Sequence, residues 1–166
     1  MKPVTVLGLD PGTARLGFGV LIKAGARFTH LEHGVLETPK EMPQAERLAE
    51  LHQGLLKLID RHRPELVGVE KLFFAKNVKT ALPVAEARGV ILLSLQARGI
   101  HIVEFTPMQV KQAVTGYGSA DKRQVQEMIK ILLKLKEIPK PDDAADALAI
   151  AYAAAVSFRP EESLRR

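Results

Sequence analysis

The run Val4-Thr5-Val6-Leu7-Gly8-Leu9 is apolar and β-rich, and it stops at Asp10-Pro11-Gly12, a turn signal. It predicts a buried central strand whose last residue is a carboxylate. Leu16 to Ile22 and His33 to Leu36 predict two further strands of an antiparallel meander, with Lys23 to Arg27 around Gly25 as the hairpin loop. Leu66-Val67-Gly68-Val69 is a second short apolar run that ends on a carboxylate, Glu70. It predicts a parallel partner for the first strand, reached through an intervening helix. His101 to Phe105 predicts a fifth strand.

Elsewhere apolar residues return every three or four positions. Leu48, Leu51, Leu55, Leu58 and Ile59 form one stripe through about Arg63, in a helix opened by Glu41 to Gln44, with Pro43, and stopped at Pro64. A second helix is predicted over residues 80–98, with Pro83 in its first turn. Leu82, Val84, Val90, Ile91, Leu92, Leu93 and Leu95 cover most of its circumference, so either the core or a second subunit must bury it. Pro107 to Val114 predicts a short helix and Thr115 to Ser119 a loop. An amphipathic helix follows on Val125, Met128, Ile129, Leu132 and Leu133, ended by Pro139-Lys140-Pro141. The last helix is Ala-rich, from Asp142 to about Val156, with a frayed tail expected beyond.

Three strands, then helix, strand, helix, strand and helices describe an α/β domain with a mixed five-stranded sheet flanked by helices. The 166 residues suit one domain, expected over residues 1–157 with 158–166 as a flexible tail. The absence of cysteine excludes a disulfide scaffold, a thiol nucleophile and a thiolate metal site. There is no signal-peptide pattern and no apolar run of membrane-spanning length, so a soluble cytoplasmic protein with no membrane partner is expected. Net charge is +5, which suits a polyanionic partner without specifying one.

Four acids suggest chemistry. Asp10 and Glu70 end strands predicted to be neighbours, at the rim where open sheets place ligands. Asp143 and Asp146 are three apart, hence on one face near the start of the last helix. Asp142 and Asp143 could instead cap that helix, and capping is the preferred reading for Asp142. Asp146 lies a turn further in, where capping explains little. Anions drawn together raise one another's pKa unless neutralised. Hard divalent cations that accept oxygen ligands are the natural solution.

These residues occur within longer motifs: Asp10-Pro11-Gly12, Val69-Glu70, Phe74-Ala75-Lys76-Asn77, Ala87-Arg88-Gly89-Val90, Val110 to Val114, Thr115 to Val125, and Asp143 to Ile150. In this order, from Gly8 to Ile150, the chain resembles the RuvC family of bacterial Holliday junction resolvases. The resemblance implies an RNase H-like fold, a homodimer and Mg²⁺-dependent paired nicking of four-way DNA junctions. Two ions per subunit are implied, with Mn²⁺ able to substitute and the RuvA–RuvB branch-migration complex as partner. It assigns Asp10, Glu70, Asp143 and Asp146 to catalysis and metal binding, and Phe73, Lys76, Lys111 and Lys122 to DNA. Phe73 matches an aromatic position that stacks on a base at the opened crossover. Lys71, directly after Glu70, departs from a neutral or acidic expectation, and strand alternation turns it away from the acids.

Charge supports the same partner. Between Pro107 and Pro141 seven lysines and arginines face three acids, most of the protein's excess. A solvated helix face would also explain a Lys-rich stretch, but Lys111 and Lys122 flank a Gly-rich loop beside the acids. Two other readings stay open: a non-catalytic junction- or RNA-binding module on this fold, and a small actin-like nucleotide hydrolase suggested by Gly12, Gly17 and Gly19. The five histidines show no metal-binding spacing.

Overall fold

A computed structural model describes residues 2–12, 14–71 and 78–158. Five strands, β1 (Val4–Pro11), β2 (Arg15–Ala24), β3 (Arg27–Glu37), β4 (Leu66–Glu70) and β5 (His101–Phe105), form one sheet in the order β3-β2-β1-β4-β5. β1–β2 and β2–β3 are antiparallel, whereas β1–β4 and β4–β5 are parallel. The helices are α1 (Gln44–His62), α2 (Val78–Ala97), α3 (Pro107–Thr115), α4 (Lys122–Leu132) and α5 (Asp142–Ser157). The mixed five-stranded α/β arrangement is the predicted one.

Strand alternation divides the core into two layers. Leu7, Leu9, Leu16, Phe18, Val20, Val67 and Val69 pack against α1 and α2. Val4, Val6, Leu21, Leu66 and Phe105 pack against α3, α4 and α5. The predicted α1 stripe is the buried one, Leu51, Leu55, Leu58 and Ile59. Arg63, in the left-handed region, closes that helix through its N–H to the Ile59 carbonyl. Ser94, buried in α2, donates to the Val90 carbonyl at 2.6 Å and meets His52 Nδ1 of α1 at 2.8 Å. Its one proton serves Val90, so His52 donates and its tautomer is fixed.

Several expectations are corrected. The β2–β3 loop is only Gly25-Ala26, Gly25 having φ +62°, and Lys23 belongs to β2. The hairpin therefore extends further toward its tip than apolar runs alone suggest. α2 begins at Val78, which puts Pro83 inside the helix rather than in its first turn. Its apolar circumference also divides: Ala87, Ile91 and Leu95 are buried, while Leu82 and Leu93 are 67% and 71% exposed. Phe158 packs against the core and lies with its ring centroid 6.2 Å from that of His101. Residues 159–166 lie outside the described ones.

Candidate active site

The site forms where α5 crosses the sheet. Gly8 of β1 pairs with Gly19 on one side and Gly68 on the other, a glycine row across three strands. A Cβ on Gly8 would stand 2.0 Å from the Ala147 carbonyl oxygen and 2.4 Å from Ala151 N, both backbone. On Gly19 it would stand 2.8 Å from Leu148 Cα, and on Gly68 it would be 3.0 Å from Ala154 Cβ. The Ala-rich helix thus rests almost directly on the strands, and its position along them is fixed. Its first turn comes to lie on Gly17, where an added Cβ would be 2.1 Å from the Asp143 carbonyl oxygen and 3.1 Å from Asp143 Cβ. Gly17 is the cross-strand partner of Asp10.

At the other end of α5, Lys23 Nζ donates to the carbonyls of Ala155 at 2.5 Å and Phe158 at 3.1 Å. A cation at a helix C-terminus is favourable, and here it ties that end to β2.

Alternation aims the strand acids. Val4, Val6 and Leu66 face α5, so Asp10 and Glu70, an even number of residues further on, project to the same side. The Asp10 carboxyl is pushed up to about 7, first by burial and then by the charges of Glu70, Asp146 and Asp143, with Lys122 opposing. Glu70 is raised by burial and then by Asp146. Asp146 is raised chiefly by burial, against the pull of Lys122. Lys122 Nζ lies 3.0 Å from Asp146 Oδ2 and 3.4 Å from Asp142 Oδ2. Burial disfavours the ammonium, but hydrogen bonding and the charges of Asp146 and Asp142 outweigh it and raise its pKa. Glu70, Asp143 and Asp146 therefore all act on the Asp10 carboxyl.

Lys111 joins them across an open cleft of about 210 Å³, lined by Glu70, Lys111, Lys122 and Asp146 with apolar walls from Val110, Val125 and Ile150. Phe73 and Lys76 lie outside the described residues. The cap role expected for Asp142 is not found: Pro141 holds the N-cap position, no side chain caps the helix, and Asp142 meets Gln126 and Lys122 instead. A cap must be the extended residue before the first turn, and Pro141 already occupies that place.

Sequence reasoning gave Arg88 no individual role. It forms an ion pair with Glu104 of β5 and donates to the Glu70 backbone carbonyl at 3.5 Å, holding the end of β4 from α2. Its motif had been noticed, but the partners come from two strands. The glycine row was also missed. Glycines at matching places in three strands, facing an Ala-rich helix, were the available signal.

The donor set fits a hard divalent cation: several carboxylates with raised pKa values, Asp10, Glu70 and Asp146. As the side chains stand, no three metal-ligating groups among the described residues surround a common point, and Asp146 is paired with Lys122.

Over residues 6–154 the chain matches the model of the family described as Crossover junction endodeoxyribonuclease RuvC. It is 51% identical over 154 residues to the protein of that name from Thermosipho melanesiensis, covering 93% of this chain and 98% of that one. It is 55% identical over 145 residues to the namesake from Chloroflexus aggregans, covering 87% and 88%. The fold superposes with a TM-score of 0.84 on Thermus thermophilus RuvC in complex with Holliday junction substrate, at 39% identity over 90% of this chain and 92% of that one.

Proposed function

The chain belongs to the RuvC family of crossover junction endodeoxyribonucleases, and from that premise we propose that it resolves four-way DNA junctions by paired, symmetric nicks during homologous recombination and repair. The observation that carries this reading is the group of carboxylates around Asp10, facing Lys111 and Lys122 across one cleft. A pure DNA-binding module has no use for such acids opposite phosphate.

Asp10, Glu70, Asp143 and Asp146 would hold Mg²⁺, two ions per subunit, with Mn²⁺ able to replace it. Bound there, divalent ions supply positive charge where negative charge develops on the phosphate and ease deprotonation of the attacking water. The chain's own groups prepare the site. Asp10, whose carboxyl is pushed up to about 7, would have to be deprotonated to hold a cation, so binding there would release any proton it carries. Lys111 and Lys122 position the scissile phosphate, and the products carry 5′-phosphate and 3′-hydroxyl ends. Phe73 and Lys76 add contacts near the crossover.

Two symmetric nicks need two sites related by a two-fold axis, hence a homodimer. Leu82 and Leu93 support α2 as its interface: they lie eleven residues apart, three turns along one face, and water covers both. Residues 1–157 form the nuclease domain, and RuvA–RuvB is the expected branch-migration partner. No helix among the described residues is long and apolar enough to cross a membrane.

The test is a synthetic four-way junction incubated with Mg²⁺ or with EDTA. Two symmetric, ligatable nicks in Mg²⁺ alone are expected, and Asp146→Asn should bind the junction without cutting it. Binding without cutting by the unmodified protein would make it a non-catalytic module.

A further inference from the structure

The loop between α3 and α4 holds an aromatic ring in water on a backbone that is already fixed. Tyr117 is 63% exposed and Met108 is 68% exposed. Met108 Cγ lies 2.9 Å from where a Cβ on Gly118 would stand, so the two side chains bracket one short loop. Gly116, in the left-handed region, closes α3 through its N–H to the Gln112 carbonyl. Gln112 Nε2 donates to the Gly116 carbonyl at 2.8 Å. Thr115 Oγ1 donates to the Lys111 carbonyl at 2.8 Å and accepts from Tyr117 N at 3.1 Å. Ala120 is buried and donates its N–H to the Tyr117 carbonyl, and Asp121 caps α4. Little ordering remains to be done when a ligand meets that ring.

The surroundings select the ligand. Lys111 and Lys122 stand on either side of the loop and line the catalytic cleft. Tyr117 and Arg123 line the adjoining groove across the first turn of α4. The loop that carries Tyr117 joins the two helices that carry these lysines. Asp121, which caps α4, and Glu127 line the same groove, but an exposed ring with Lys111, Lys122 and Arg123 near it matches a nucleic-acid strand, which is anionic along its backbone and apolar on its base faces.

We propose that Tyr117 is a stacking contact for a base or deoxyribose of the DNA arm leaving the catalytic cleft, and that it sets which phosphate along the strand meets the acids. This rests on the nuclease reading for the identity of the arm. Tyr117 touches no reacting atom, so it is a positioning residue.

The experiment uses the full chain and a synthetic four-way junction, with Ca²⁺ replacing Mg²⁺ to hold off cutting. Tyr117→Ser should raise Kd about tenfold, within the range of one lost base stack. The dependence of log Kd on log salt should keep its slope, because no cation is removed. Tyr117→Phe should bind like the unmodified protein. In Mg²⁺, Tyr117→Ser should spread the nicks over neighbouring phosphates. A Kd for Tyr117→Ser within twofold of the original overturns the proposal. So does a Tyr117→Phe defect equal to that of Tyr117→Ser, which would assign the contact to the phenol hydroxyl. A matching fall in melting temperature would make the ring structural and overturn it too. Junction binding without any cutting by the unmodified protein would sink the nuclease reading instead, leaving the Kd comparison intact.

Discussion

Lys122 Nζ stands 3.0 Å from Asp146 Oδ2, joining the first turn of α4 to the second turn of α5. A lysine expected to serve phosphate is engaged by one of the carboxylates proposed for the metal site. The acid cluster thus has one ammonium counterion of its own, and any divalent cation reaching Asp146 competes with it.

Lys122→Met should therefore tighten Mg²⁺ binding several-fold in the absence of DNA while slowing junction cleavage. The lost pair costs little stability, about 0–1 kcal/mol, because the lysine side chain is half exposed. Calorimetric titration of both proteins, with Asp146→Asn as control, measures the first effect. Unchanged or weaker Mg²⁺ binding would mean that ammonium and metal do not compete.

The raised pKa values have a definite sign in stability. Asp10 has an ordinary value of 3.8 and a folded value of about 7. Between these the folded chain binds the extra proton, so stability in EDTA is full below about pH 4 and falls as pH rises through 7. Glu70 and Asp146 shift in the same direction. Urea denaturation at pH 5 and pH 8 should show the loss, and Asp10→Asn should flatten it. Stability that rises over this window would contradict the burial of Asp10.

Gly8→Ala sets a Cβ against backbone atoms of Ala147 and Ala151. It should cost about 3 kcal/mol or more, or prevent folding, since overpacking that cannot relax is severe. Gly34→Ala meets only the Phe18 ring at 3.0 Å, and a turning ring should hold the cost to about 1 kcal/mol. Chemical denaturation separates the two, and equal costs would show that α5 can shift off the sheet.

Leu82→Gln with Leu93→Gln should yield a monomer at micromolar concentration with little change in melting temperature. Neither side chain is covered within one subunit. Sedimentation is the readout. A dimer that survives both changes places the interface elsewhere.

Lys111→Ala should reduce the slope of log Kd against log salt by about one unit, the value of a single lost phosphate contact. An unchanged slope together with an unchanged cutting rate would remove Lys111 from the cleft's function.

Much of this was legible in the chain. Leu66 to Glu70 and His101 to Phe105 are strands with the bounds their apolar runs predict, and Asp10 and Glu70 face α5 because side chains alternate. The β2–β3 hairpin was less legible, since Lys23 and Arg27 read as a polar loop. Lys23 lies in β2 because its ammonium reaches the Ala155 and Phe158 carbonyls, partners more than 130 residues away. Asp142 read as a cap because acids favour helix starts, yet Pro141 had already taken the extended position.

The amino-acid order by itself determined the order and type of the elements, the side to which each strand carboxylate points and the family likeness, since periodicity and local sterics act within a few residues. Only the tertiary structure decided how deeply Asp10 is buried, which acid Lys122 holds, and which stripe of α2 remains in water. Those depend on the close seat of α5 on Gly8, Gly19 and Gly68 and on the cover given by other helices. Desolvation and ion pairing are set by atoms brought near in space, whatever their separation along the chain.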